Sequence, residues 1–396
     1  MSDLIQKIKS LSSSYFDDVL HFRRHLHSHP ELSFHEHETA KFIEQTLHSF
    51  GIDQTERIAD TGVTFCLDGK GKGKTIALRA DIDALPILEA NDVPYKSKHE
   101  GVMHACGHDV HTSSLLGAAR ILSELKNEFD GTIKFIFQPA EEKSPGGASI
   151  LIKEGVLQNP KPAQILGQHV MPLIPTGKVG FRSGKYMASA DEIYLKVKGK
   201  GGHAAMPENF IDPIAIASQI IVSLQQIVSR MASPKIPSVL SFGKIVGGNV
   251  NNAIPDEVNI DGTFRTFDEE WRKEALQKIK DISSSIASSM GGSCEVHVAS
   301  GYPYLVNDEP FTERSKDAAK AYLGDENVED LDLWMAAEDF AFYTHEVPGC
   351  FYRLGTRNES RGITSGVHTP TFDIDESALE IGMGLMSYLA IEELKK

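Results

Sequence analysis

The sequence predicts an α/β protein with a mostly parallel sheet, interrupted by a smaller α+β domain. Helix-like and strand-like patterns alternate from the N-terminus to about residue 185. Between 186 and 299 the order becomes β-α-β-β-α-β, the pattern of a ferredoxin-like sandwich, and from 300 onward the α/β texture resumes. A chain of 396 residues exceeds the usual reach of one core, which agrees with one domain of 1–185 plus 300–396 and another of 186–299.

The elements follow in order. MSDLIQKIKSL mixes charges among its apolar positions and reads as an amphipathic helix, not a leader. Residues 36–50 set Ala40, Phe42, Ile43 and Leu47 near helical spacing, and Gly51 stops the pattern. TIALRADIDAL is a buried strand through Ile76, Ala77 and Leu78, and TSSLLGAARILSEL a helix. GTIKFIFQ is a strand with Ile133, Phe135 and Phe137 alternating, followed by the helix ASILIKEG and the short strand AQILGQHV. In the insert, DEIYLKVKGKGGH is an edge-like strand and DPIAIASQIIVSLQQIVSRM a long helix. The strands SVLSFGKIVGG and EVNIDGTFRTF, the helix EEWRKEALQKIKDISSSIASSM and the strand CEVHVAS complete it. The chain ends in a helix around ALEIGMGLMSYLAIEEL, and GKGKGK at 69–74 reads as a solvated hairpin or turn.

Composition narrows the function. A formal net charge of −15 lacks the basic face that nucleic acid or an anionic membrane requires. Cys66, Cys106, Cys294 and Cys350 are scattered without CxxC pairing, which predicts a reducing compartment and a cytoplasmic protein. No stretch reaches the roughly 20 apolar residues of a membrane span.

Chemistry concentrates in a few segments. MHACGHDVH, residues 103–111, sets Cys106 and His108 two apart with His104 and His111 flanking, directly before a helix. Thiolate and imidazole suit a zinc-like ion; a structural zinc knot would need further cysteine pairs. Glu141 and Glu142 follow a strand, where sites in parallel sheets are built, and adjacent carboxylates favour a nearby cation. The same pair would equally serve the first turn of a helix. His169, His368, Asp81 and Asp83 also end short apolar segments. Within the insert, His203, Asn252 and Arg265 are donors suited to a carboxylate and a developing oxyanion, although Arg265 also fits a solvated strand position.

Two segments attract attention for poor reasons. HFRRHLHSHPELSFHEH is rich in histidine, but Pro30 breaks it and its spacing suits no single face, so it is assigned to structure. GKGKGKT at 69–75 imitates a phosphate-binding loop, yet Asp68 stands where the first glycine is required and a strand follows.

Taken together, the motifs RRHLHSHPELSFHEHET, ALRADIDALP, MHACGHDVHTSSLLGAA, FQPAEE, QHVMPLIPTG, GKGGHAAMP, NNAIP, GTFRTF, AAEDFAFY and VHTPTFDID resemble the metal-dependent aminoacylase and carboxypeptidase superfamily, in its amidohydrolase branch. The resemblance spans almost the whole chain. It implies a metallohydrolase catalytic domain, with the insert as lid and dimerisation domain of a homodimer or higher homo-oligomer. It implies two divalent ions, zinc or manganese, on Cys106, His108, Glu142, His169 and His368, with Cys106 in the bridging position where other branches carry Asp. Glu141 would be the general base toward metal-activated water and later the acid toward the leaving amine. Asp83 would orient a ligand, and Asp81 stands where those branches carry a metal-binding histidine. Acting from the insert, His203 would stabilise the oxyanion, with Asn252 and Arg265 binding substrate, either at a neighbouring subunit's active site or closing over their own. The implied activity is deacylation of N-acyl amino acids, with a dipeptidase or carboxypeptidase of the same superfamily as the alternative.

Overall fold

The computed structural model describes residues 3–396, so Met1 and Ser2 of the expected N-terminal helix lie outside the described residues. The chain divides into two compact units. One runs to Tyr186 and adds Val306–Asp332 and Asp339–Lys396; the other comprises Met187–Leu305 and Leu333–Glu338.

The larger unit is built on an eight-stranded sheet in the order Glu56–Ile58, Gly62–Asp68, Thr132–Gln138, Thr75–Asp81, Gln164–Pro175, Gly349–Arg357, Val179–Phe181, Val328–Asp330. From Thr132–Gln138 to Gly349–Arg357 its strands run parallel, and antiparallel pairings join the flanks. Thr75–Asp81 is buried at every position, as a parallel strand covered on both faces must be, and this explains its unbroken apolar run. The helix Ala378–Leu394 is buried almost all round, so it carries apolar residues on every side instead of one stripe.

Two local expectations are corrected. Residues 69–74 do not close a hairpin, because Gly62–Asp68 and Thr75–Asp81 sit on opposite sides of Thr132–Gln138. The glycine-lysine run is a link that passes one strand, held where the Gly69 amide donates to the Gly131 carbonyl. The helix expected to follow MHACGHDVH begins inside it, at His108, and runs to Glu124.

The histidine-rich N-terminal run has a structural part. It forms the helix Phe16–Ser28, in which Arg23 and His27 are fully buried. Arg23 donates to Asp109 at 2.9 Å and to Asp373 at 2.9 Å. The ring of His27 bridges Asp109 and Glu89 at 2.8 and 3.2 Å. The Asp109 carboxyl is buried, which opposes its charge, yet Arg23 and His27 outweigh this and hold its pKa well below the usual range.

In the smaller unit four antiparallel strands stand in the order Ser238–Val246, Glu257–Thr266, Asp191–Lys198, Ser293–Ser300, the ferredoxin-like arrangement, so Asp191–Lys198 is an inner strand paired on both sides and not the edge its alternation suggested. Ile193, Leu195 and Val197 alternate with more exposed residues, and their face packs on the helices Pro213–Gln226 and Glu269–Ser289. Asp212 and Asp268 cap those helices, each accepting amide hydrogen bonds from the first turn. The helical stretch Pro213–Met231 is long and apolar enough to cross a membrane by length and composition. Much of that apolarity is spent on the sheet, through Ile216, Ala217, Ile220, Leu224 and Ile227.

Candidate metal centre

Three adjacent parallel strands aim the chemistry at one place. Asp83 follows Thr75–Asp81, Glu141 and Glu142 follow Thr132–Gln138, and His169 lies within Gln164–Pro175. Fourth, the loop before the helix His108–Glu124 brings in Cys106 and His108. Gly107 between them has φ +83°, and a Cβ there would lie 2.6 Å from Val170 Cγ2, so only glycine lets this loop approach the His169 strand so closely. His368 comes from the C-terminal part of the chain in a left-handed conformation (φ 61°), its amide donating to the Ala105 carbonyl at 2.7 Å.

The side chains meet around the buried thiol of Cys106. Its Sγ lies 3.4 Å from His169 Nε2 and 3.2 Å from His368 Nε2. Glu142 Oε1 is 3.1 Å from the same His368 nitrogen and 3.9 Å from His108 Nε2. Cys106, His108 and His169 can share one ion, as can Cys106, Glu142 and His368, or His108, Glu141 and Glu142. His108 Nε2 is buried without a hydrogen-bond partner and faces Glu142 Oε1 at 3.9 Å, a costly state that a cation between them would relieve. The residues therefore fit a divalent ion.

Surrounding groups set which nitrogens are free. His108 Nδ1 lies 3.1 Å from Asp83 Oδ1, and His169 Nδ1 lies 2.8 Å from the Val170 carbonyl. Each ring therefore offers Nε2 to a ligand. His111 does not: its Nε2 accepts the Val170 amide at 2.8 Å, and its Nδ1–H meets Asp81 Oδ1 at 2.5 Å. Asp81 is spent in the same way, because its other oxygen takes a 2.6 Å bond from Arg79 Nη1. Although Asp81, His108 and His111 are close enough to be counted as a ligand group, this bonding commits both Asp81 and His111 elsewhere. His104, the other flanking histidine, belongs to none of the ligand groups found among the described residues, and burial pushes its pKa down to about 4.

Electrostatics matches that of an ion site. Burial opposes charge on His108, but Asp81, Asp83 and Glu142 outweigh it and push its pKa up to about 10. Burial raises the Cys106 thiol well above its ordinary value, and Glu142 and Glu141 add to this. Burial would likewise raise Asp83, but its hydrogen bonds from His108 and Ser33 lower it.

Glu141 is buried and accepts the Asp339 amide at 3.3 Å. Asp339 is held in turn by Arg79 and Gln138, at 2.8 Å and 2.7 Å. The two glutamates do not start a helix; the next one, Gly147–Lys153, begins only after a bend.

In the smaller unit, the pair of strands Gly202–His203 and Ala253–Ile254 brings His203 beside Asn252, whose carbonyl accepts the Ala204 amide at 3.0 Å. The Ala205 amide donates to His203 Nδ1 at 3.2 Å, which leaves the ring hydrogen on Nε2. Arg265 stands apart on Glu257–Thr266, half-buried, with Nε donating to Thr263 Oγ1 at 3.2 Å.

Several residues around the cluster were not singled out from sequence. Glu36, Ser33, His27 and Asp109 meet partners tens of residues away, and Arg79 bonds the distant Gln138 and Asp339 besides its near neighbour Asp81.

Residues 77–392 match the peptidase family M20/M25/M40. The chain is 44% identical over 362 residues to N-acetyl-L-cysteine deacetylase of Bacillus subtilis, covering 91% of this chain and 84% of the relative. It is 38% identical over 393 residues to thermostable carboxypeptidase 2 of Saccharolobus solfataricus, covering 98% and 99%. Among solved structures, the Bacillus subtilis YXEP protein, a dinuclear metal-binding peptidase of the M20 family, superposes with a TM-score of 0.82 at 36% identity, covering 97% and 99%. The chain belongs to the peptidase family M20/M25/M40, and it is a hydrolase of amide bonds.

Proposed function

We propose that this hydrolase removes the acyl group from N-acyl amino acids, using two divalent ions held by Cys106, His108, Glu142, His169 and His368. The observation that carries the reading is the buried Cys106 thiol between His169 and His368, beside Glu142 and the unpartnered His108 Nε2. Divalent ions bound there supply Lewis-acid polarisation of the amide carbonyl and of water. Cysteine and histidine favour zinc, and the paired carboxylates also suit manganese. Glu141 takes a proton from the attacking water and returns it to the departing amine nitrogen, so that amide and water become carboxylate and amine. Asp83 keeps His108 turned with Nε2 toward the ion. From the insert of this chain or of a neighbouring subunit, His203 would offer an Nε2–H to the tetrahedral oxyanion, and Asn252 and Arg265 would hold the amino-acid carboxylate.

The insert is read as lid and dimerisation domain. Its edge strand Ser238–Val246 is unpaired on one side and exposes Val239, Ile245 and Val246, and Ile214 and Val222 are exposed on the helix of the same unit. Free cysteines throughout support a cytoplasmic setting.

A carboxypeptidase is the second reading, favoured by the thermostable carboxypeptidase relative. Metal analysis, combined with rates on N-acetyl amino acids and on N-blocked dipeptides, separates the two. Glu141→Gln should keep its metal and lose on the order of 100-fold or more in turnover. A variant with the normal rate removes Glu141 from this role.

A further inference from the structure

We propose that Glu36 is a positioning residue, which sets the direction of Glu141 by holding the amide of Ala140. The inference rests on the reading of Glu141 as the base. After the strand Thr132–Gln138 the chain must turn sharply to present two carboxylates, and Ala140 does so at φ 54°, a left-handed conformation that costs a non-glycine residue. Such a conformation persists only where neighbours enforce it. The Ala140 amide donates to Glu36 Oε1 at 2.8 Å, and Thr61 Oγ1 donates to Glu36 Oε2 at 2.8 Å.

A second grip lies two residues on. The Glu142 amide donates to Asp83 Oδ2 at 3.0 Å, and Ser33 Oγ donates to the same oxygen at 2.6 Å. The amides on both sides of Glu141 are thus held by buried carboxylates from separate parts of the chain. Ser33 and Glu36 belong to one short segment, whose Phe34 is itself left-handed at φ 69°. The grips divide the work: Asp83 holds the backbone of a metal ligand, and Glu36 holds the backbone leading into the base.

Glu36 occupies this place at a cost. It is wholly buried, and burial, with the charge of Asp83 adding, pushes its pKa up to about 7. An apolar residue would avoid that cost but could not accept the Ala140 amide.

The test compares Glu36→Ala, Glu36→Gln and Glu141→Gln in metal-loaded protein. Losing the acceptor in Glu36→Ala should lower kcat on the order of tenfold to 100-fold, with KM and metal content unchanged. Glu36→Gln keeps an oxygen for the Ala140 amide and should return to within about threefold of the parent. Full kcat in Glu36→Ala, loss of metal together with rate, or equal impairment of the Gln and Ala variants each overturns the proposal. Hydrogen exchange of the parent protein reads the contact without any variant: the Ala140 amide should exchange slowly, and exchange as fast as in exposed loops overturns the proposal. Failure of the underlying reading is distinct, because Glu141→Gln would then turn over at the parent rate.

Discussion

Replacing Glu36 by Gln in the metal-free protein should raise stability, and by an amount that depends on pH. Glu36 titrates near 7 in the fold against an ordinary 4.5, because burial and, after it, Asp83 disfavour its charge. A carboxyl whose folded pKa is raised contributes most below the unfolded value. That contribution is lost as pH rises from 4.5 through about 7. The interval between those values, at roughly 1.4 kcal/mol per pH unit, corresponds to about 3 kcal/mol. Glutamine is nearly isosteric, still accepts the Ala140 amide, and lets the Thr61 hydroxyl reverse its role from donor to acceptor. Urea unfolding of both proteins with a chelator present should show near-equal stability at about pH 4.5 and a gap opening to about 3 kcal/mol by about pH 8. Every other titrating group is common to the two proteins, so the gap isolates Glu36. A gap that stays constant with pH, or a variant less stable at pH 8, refutes the argument.

The other predictions address the ion site directly. Gly107→Ala forces alanine to φ +83° and sets its Cβ 2.6 Å from Val170 Cγ2, which together should cost about 2–4 kcal/mol. Because Cys106 and His108 flank that position, thermal unfolding and metal content should fall together; an unchanged metal content would mean the loop has room to spare. Adding zinc to metal-free protein at neutral pH in weak buffer should release about two protons, from His108 and Cys106, since both are held protonated in the absence of an ion. Apparent affinity should accordingly rise with pH, and binding without proton release, followed by pH electrode, would contradict the charge arrangement.

Much of the fold was legible because the parallel strands and their helices repeat simple periods. Thr132–Gln138 and Asp191–Lys198 carry theirs openly, and the β-α-β-β-α-β order of the insert sufficed to predict a ferredoxin-like sheet. Gly62–Asp68 and Gly349–Arg357 were not singled out. Both lie among turn residues, and their pairing depends on strands far away in the chain. The link at 69–74 is a solvated bend and not a hairpin for the same reason, since nothing local reveals that a strand from 132–138 lies between its ends.

For the site, residue types drew attention to the Cys106 and His108 pair and to the adjacent Glu141 and Glu142, whereas His169 and His368 joined the ligand set only through the family resemblance. Sequence also determined that the chain is acidic, with a formal net charge of −15. Residue type by itself does not rank the histidines of MHACGHDVH; His108 was set apart from His104 and His111 only by the family resemblance. Tertiary structure decided that: the Val170 amide and Asp81 occupy both nitrogens of His111, burial without partners isolates His104, and Asp83 leaves His108 Nε2 free. The support beneath the glutamates was likewise decided only by the fold. A hydrogen bond between Glu36 and Ala140 spans 104 residues, and no local pattern encodes a partner at that distance.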